Sequence, residues 1–263
     1  MKPQQRRERI TRLVKEENKV SVDQLAALLN TSHETVRRDL ALLSAKGLIR
    51  KVHGGAVHAQ TGQESALDER NSTARPEKIA IARTAASLFH EGDSLLIDAG
   101  STTAYFAEAL SQTGRYTVIT NSTLVARALW AAPAQGEVYL LGGRYYGDGK
   151  EMLGPLVVEQ IQRLRTDHAI LTVGAVDPAG RFMDFNADEA YIARAMIASA
   201  RHVTVLADSS KLGRHALFQV CEASQIQRLV TESPPERTVA NALRAAGVEV
   251  IIANAQMPIK MTS

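Results

Sequence analysis

Residues 31–47, TSHETVRRDLALLSAKG, constrain the fold more than any other stretch of the chain. Thr31 or Ser32 stands where a helix is capped, and Thr31 with Glu34 has the T-x-x-E spacing of a capping box. Val36, Leu40 and Leu43, with Leu42 beside them, recur at helical spacing and are expected to face a core. Ser32, His33, Thr35, Arg37 and Arg38 are then left on the exposed first turns. A helix that is apolar on one side and basic-polar at its N-terminal end suits the major groove of DNA. An ordinary surface helix with a charged face is the alternative.

The neighbouring segments favour the DNA reading. Residues 4–16 form an amphipathic pattern, with Ile10, Leu13 and Val14 inward and Arg6, Arg7, Arg9 and Arg12 outward. Residues 17–20 read as a short turn. Ser21 then caps a second helix, VDQLAALLN, which packs through Leu25, Leu28 and Leu29. A turn at 30–32 leads into the helix above, giving the helix-turn-helix arrangement in which the second member reads DNA. Gly47 reads as that helix's C-cap. Residues 48–57, LIRKVHGGAV, have two short runs around a His-Gly-Gly turn, which predicts a β-hairpin and hence a winged helix. Arg50, Lys51 and His53 on this wing are placed to touch phosphates or the minor groove; a solvated hairpin is the plainer reading.

Charge is distributed in the same sense. Residues 1–58 carry 12 Lys and Arg against 6 Asp and Glu, whereas the rest carry 19 against 22. A basic head of this kind fits a polyanionic partner, and the body must do something else. One cysteine, Cys221, permits no internal disulfide, and the seven histidines show no metal-ligand spacing. No apolar run approaches membrane-spanning length and the N-terminus lacks a signal-peptide core, so a cytoplasmic protein without a membrane partner is expected.

Residues 58–76 are polar, end at Pro76 and read as a linker between a head at 1–57 and a body at 77–263. From Glu77 a helix is followed by alternating strands and helices. Strands are expected at 94–98, 116–120, 137–143, 168–176, 202–210, 226–231 and 248–254, with a long polar loop before a helix opened by Pro155. Almost wholly apolar strands alternating with helices imply a parallel sheet covered on both faces, an open α/β fold of Rossmann-like type.

In such a sheet, ligands lie beyond the carboxyl ends of the strands. The polar and glycine-rich residues fall there: Asp98, Gly100, Ser101, Thr102 and Thr103 after the first strand, and Thr120, Asn121 and Ser122 after the second. Gly142 and Gly143 follow the third, and Gly174, Asp177, Glu189 and Lys211 follow later ones. Gly100 allows close backbone approach, and hydroxyls and amides at a helix start suit a phosphate. Lys211 can supply a point charge, and carboxylates suit sugar hydroxyls. Each has a plainer reading: a helix cap for the Ser-Thr-Thr run, a tight turn for Gly142-Gly143 and for Asp177 before Pro178, surface salt bridges for Glu189 and Lys211. No Walker A pattern and no G-x-G-x-x-G after a strand occur, so no nucleotide cofactor is expected.

Together these residues resemble the DeoR/GlpR-type family of bacterial transcriptional regulators across nearly the whole chain. The resemblance is carried by T-V-R-R-D-L at 35–40 with the H-G-G wing, and by E-R (69–70), E-K (77–78) and I-D-A-G-S-T-T (97–103). It continues through T-N-S (120–122), L-G-G (141–143), D-E-A (188–190) and D-S-S-K-L-G (208–213). It implies an N-terminal winged helix-turn-helix that binds double-stranded operator DNA, and a C-terminal sensor domain like sugar-phosphate isomerases. It further implies repression of a carbohydrate catabolic operon, with a phosphorylated sugar or related sugar acid as effector. The likeness to isomerases makes an enzyme the rival reading, with Glu189 and Lys211 as acid and base. The chain has F-N-A-D-E-A where those enzymes carry a glycine-rich K-G-G-G-G segment, which favours a regulator that is not an enzyme. A winged helix for protein contacts alone is disfavoured by Arg37, Arg38 and the basic head.

A single reading helix covers too few bases, so a homo-oligomer, dimer or tetramer, is expected. His33, Glu34, Thr35 and Arg37 are the candidates for base edges. Ser32, Arg38, Ser21 and the first-helix arginines, Arg6 among them, are candidates for phosphates. Asp39 is expected to orient an arginine internally, because DNA repels an exposed carboxylate.

Overall fold

The computed structural model describes residues 3–17, 19–45, 48–52, 54–58, 67–132 and 136–253. Two compact units are present, residues 1–65 and 66–263. In the first, α1 (Pro3–Glu17), β1 (Lys19–Ser21), α2 (Val22–Leu29), α3 (His33–Ala45), β2 (Ile49–Val52) and β3 (Gly55–His58) follow in order. The strands form an antiparallel sheet in the order β1-β3-β2. Ile10, Val14, Leu25, Leu29, Val36, Leu40, Leu43 and Ile49 are buried in one cluster.

Local chemistry sets these boundaries. Ser21 and Gln24 exchange side-chain and backbone hydrogen bonds at 2.8 and 3.1 Å, closing a capping box at the start of α2. Asn30 adopts φ 47° and ends that helix in the left-handed conformation. Ser32, rather than a Thr31–Glu34 box, caps α3: its Oγ accepts from the Thr35 amide at 3.2 Å, and Glu34 pairs with Arg38 instead. Two expected core residues face solvent: Leu28 is 66% and Leu42 49% exposed. Val22, Leu25, Ala26 and Leu29 complete the i, i+3, i+4, i+7 stripe of α2, and Leu28 falls about 100° off Leu29. The expected turn at 17–20 contains β1, which pairs Val20 with Ala56 of the wing. Gly55 is required there, because a Cβ would run into the Val20 carbonyl. Gly47, expected as the C-cap of α3, and His53, expected on the wing, lie outside the described residues.

The second unit opens with α4 (Leu67–Ser72) and α5 (Arg75–Ala86), so part of the stretch that reads as linker is helical. Leu67 is buried, and Lys78 Nζ donates to the Arg70 carbonyl at 2.6 Å. Then come β4 (Ser94–Ile97), α6 (Ser101–Leu110), β5 (Thr117–Thr120), α7 (Thr123–Trp130) and β6 (Glu137–Leu140). The remainder is β7 (Arg144–Tyr146), β8 (Glu151–Leu153), α8 (Pro155–Gln162), β9 (Thr166–Leu171), β10 (Ala175–Val176), β11 (Phe182–Asp184), α9 (Ala187–Ser199), β12 (Ala200–Leu206), β13 (Phe218–Cys221), β14 (Arg228–Thr231), α10 (Arg237–Ala245) and β15 (Glu249–Ile252).

Seven strands form a parallel sheet in the order β15-β14-β12-β9-β4-β5-β6. Leu95, Ile97, Val118, Ile170 and Leu206 pack with residues of α5–α7 on one face. Leu96, Ile119, Ala169, Leu171 and Val205 pack with residues of α8–α10 on the other. Both faces are covered, which is why the strands are apolar throughout. The chain reverses direction across the sheet between β4 and β9, making that gap the topological switch point. Two features depart from expectation. The polar segment before Pro155 contains the hairpin β7–β8, and the run 168–176 divides between β9 and a small sheet, β10-β11-β13.

Candidate nucleic-acid interface and ligand site

Burial of Val36, Leu40 and Leu43 fixes the roll of α3 and leaves His33, Glu34, Arg37 and Arg38 exposed. Glu34 and Arg38 pair at 3.2 Å, and His33 Nε2 lies 3.3 Å from Asp23 on α2. Ser32 and Thr35 hydroxyls are 2.9 Å apart at the helix start. Arg37 has no ion-pair partner among the described residues and projects from the same face. Lys51 is exposed on β2, and Arg50 lies beside it on that strand.

Arg6 does not stand outward as its sequence pattern suggests. Its Nε donates to Asp39 Oδ2 at 2.5 Å, with Arg6 14% and Asp39 6% exposed, and Arg7 Nε lies 3.7 Å from the other oxygen. The carboxylate on the inner side of α3 draws the guanidinium in. Asp39 therefore orients arginines of α1, as expected, but Arg6 is one of them. Ser21 likewise uses its hydroxyl and amide in the cap of α2.

In the second unit, the carboxyl ends of β4, β5 and β9 bring one group of polar residues together. Gly100 precedes α6, which has no side-chain cap, so the amides of Ser101, Thr102 and Thr103 head a bare helix N-terminus. A Cβ on Gly100 would collide with Thr172 Cγ2 just beyond β9. Thr120 and Ile97 are paired in register, which places Asn121 beside Asp98. The β7–β8 hairpin turns back over this edge: Met152 donates to the Asn121 carbonyl at 2.8 Å, and Ser122 bridges Glu151. Asn121 Nδ2 donates to Glu151 Oε2 at 3.3 Å and to the Met152 carbonyl at 3.2 Å.

Asp98, Glu151 and Asp184 are all buried. Desolvation first, and then the negative charges of Glu151 and Asp184, push the Asp98 carboxyl well above the usual carboxylate range, against the pull of the Ala99 and Thr172 amides. Lys211, in the 3-10 turn after β12, is buried and donates to the Val173 carbonyl at 2.5 Å. Three buried side-chain oxygens in this region, Thr102 Oγ1, Asn121 Oδ1 and Thr172 Oγ1, have no hydrogen-bond partner among the described residues. Three of the five such oxygens among the described residues thus lie at the mouth of the sheet, where polar groups of a ligand or of water can reach them.

Other predicted residues serve the fold. Thr103 Oγ1 donates to the Gly100 carbonyl, Thr120 Oγ1 accepts from the Ser122 amide, and Ser122 caps α7. Gln160 holds both the amide and carbonyl of Gly142, and a Cβ on Gly143 would strike Val157. Asp177 accepts from the Ala179 and Arg181 amides and pairs with the Arg181 guanidinium at 2.6 Å. Those contacts with Arg181 outweigh burial and hold its carboxyl below the usual range. Gly174 is kept small by Phe185, whose ring a Cβ would meet, and Glu189 accepts from Asn186 at 3.0 Å. Sequence reasoning missed Glu151, Thr172 and Asp184. Only the hairpin that returns Glu151 over β5, and the small sheet that carries Asp184, bring them to the site.

Residues 6–61 match the family model of the DeoR-like helix-turn-helix domain, and residues 73–233 match that of the DeoR C terminal sensor domain. The chain is 32% identical over 247 residues to the HTH-type transcriptional repressor CsqR of Escherichia coli, covering 94% of each chain. It is 32% identical over 257 residues to the glycerol-3-phosphate regulon repressor of Haemophilus influenzae, covering 98% of this chain and 100% of that one. Ribose 5-phosphate isomerase A from Methanocaldococcus jannaschii aligns with a TM-score of 0.39 and 16% identity over 53% of this chain and 55% of that one. Both matched models are regulator domains rather than enzyme domains, and together they span most of the sequence. The chain belongs to the DeoR family of helix-turn-helix transcriptional regulators.

Proposed function

We propose that the protein represses a carbohydrate catabolic operon and that a phosphorylated sugar or related intermediate, bound at the switch point of the second unit, modulates its grip on operator DNA. The observation that carries the ligand reading is the uncapped N-terminus of α6 beside the orphaned oxygens of Thr102, Asn121 and Thr172. Helix-start amides receive a phosphate, and the orphaned oxygens receive hydroxyls. The Haemophilus influenzae relative, a glycerol-3-phosphate regulon repressor, agrees with that chemistry. Gly100, Ser101, Thr102 and Thr103 form the phosphate side; Asp98, Asn121 and Lys211 stand on the other. Asp177, Gly142 and Gly143 act through the fold around it.

On the DNA side, His33, Glu34, Thr35 and Arg37 face base edges, while Ser32, Arg38, Arg50 and Lys51 hold phosphates. Arg6 positions α3 through Asp39. Two copies present two reading helices, so the working form is a homo-oligomer in the cytoplasm. Among the described residues, no helix is long and apolar enough to cross a membrane.

Fluorescent upstream DNA, titrated at fixed salt, tests this reading. Arg37→Ala is expected to cost about 1–3 kcal/mol on the cognate site and to relax its sequence preference, whereas Arg38→Ala weakens all sequences alike. Equal losses on cognate and random DNA for both variants would remove Arg37 from base reading. Ser101→Ala is expected to blunt release by a phosphorylated sugar while leaving operator affinity unchanged.

A further inference from the structure

The geometry points to a ligand with a single anionic end: a monophosphate whose far end is a neutral, hydroxyl-bearing carbon chain, with carboxylate-ended and bisphosphorylated compounds rejected. The inference rests on the phosphate reading above and narrows it. Asp98, Glu151 and Asp184 are 8%, 3% and 6% exposed, and they reach the same strand ends from β4, β8 and β11. Lys211 brings one positive charge there, at the Val173 carbonyl. Glu151 and Asp184 carry the negative charge here, with Asp98 held protonated beside them, and against one ammonium they leave this end hostile to a second anion, where burial limits screening by water.

The orphaned atoms specify what is welcome. Asn121 is fully buried, and its Nδ2 is already committed to Glu151 and the Met152 carbonyl. Its Oδ1 is left to accept, so the ligand must present a hydroxyl donor. A carboxylate or second phosphate is acceptor-only when ionised and cannot satisfy that atom. Thr102 Oγ1, buried in the first turn of α6, can donate to the phosphate or to a neighbouring ligand oxygen. One side of the site therefore favours an anion and the other repels it.

Isothermal titration of the full-length protein with two matched pairs tests this. Glycerol 3-phosphate and 3-phosphoglycerate differ at one carbon, an alcohol against a carboxylate; glucitol 6-phosphate and 6-phosphogluconate differ in the same way. Inorganic phosphate is the control for the anion side. The expected result is that, in the pair of fitting length, the alcohol binds at least tenfold tighter than the acid and tighter than phosphate. The near-isosteric double variant Asp98→Asn/Glu151→Gln is expected to reduce that ratio to under threefold. Equal or tighter binding of the acid overturns the inference while leaving the phosphate reading in place. The same holds if neither alcohol binds tighter than phosphate. Absence of binding by every compound, phosphate included, overturns both.

Discussion

Replacing Asp39 by alanine tests how the reading helix is held. The carboxylate sits on the inner side of α3, next to Leu40, and takes the Arg6 Nε at 2.5 Å with Arg7 in reserve at 3.7 Å. Removing it leaves a guanidinium that is only 14% exposed without its counter-charge. Breaking a buried pair from one side costs about 3–5 kcal/mol, and some water access to Arg6 places the expectation near the lower figure, ~3 kcal/mol. Arg6→Ala should cost less, about 1–2 kcal/mol, because Arg7 can close on the carboxylate it leaves behind. Replacing both partners, Arg6→Met with Asp39→Leu, should recover most of the loss, since no charge is then stranded. With two compact units in the chain, a whole-chain unfolding midpoint does not isolate the head. Hydrogen exchange of the α1 and α3 amides, referenced to those of β4 and β9, reads the head alone. Operator affinity of Asp39→Ala should fall with that protection. Unchanged protection of α1 and α3 in Asp39→Ala would refute the assignment of this pair as the tie between the helices.

Two further perturbations address the ligand site. Gly100→Ala forces a Cβ against Thr172 Cγ2 at a φ of +159° that L residues rarely adopt, and should destabilise the second unit by about 1–3 kcal/mol; adding Thr172→Ser removes that methyl and should recover the steric part of the loss in a denaturant titration, the backbone strain remaining. A double variant no more stable than Gly100→Ala would show that the contact is not the cause. Asp98→Asn should gain stability over wild type as pH rises from about 4, where the unfolded carboxyl ionises while the folded one stays protonated. The gain grows by at most ~1.4 kcal/mol per pH unit until the folded group ionises, then levels off. Denaturant midpoints that run parallel from pH 4 to 7 would contradict the buried, neutral Asp98.

Much of this was legible before folding because it depends on periodicity and on side chains acting near their own backbone. The buried stripe Val36, Leu40 and Leu43 determines which face of α3 meets solvent, and Ser21, Asn30 and Ser32 terminate helices by local hydrogen bonds and dihedrals. Continuous apolar runs imply a sheet covered on both faces, and the polar residues that follow them must fall at its carboxyl edge. What sequence reading missed is short or distant. Three-residue strands such as β1 and β8 carry too few side chains for alternation to register and exist only through partners elsewhere in the chain. Leu28 and Leu42 look like core residues until neighbouring positions fill the stripe.

The sequence by itself determined the two-part architecture and the helix-turn-helix, and it pointed to the strand ends for the proposed ligand site. Tertiary structure alone decided that Arg6 turns inward to Asp39, that Asp177 serves Arg181, and that Glu151 and Asp184 join Asp98. The physical reason is range. A helix face or a cap is fixed within a few residues, whereas the charge environment of a buried carboxylate is the sum over groups that only chain reversal brings within a few ångströms.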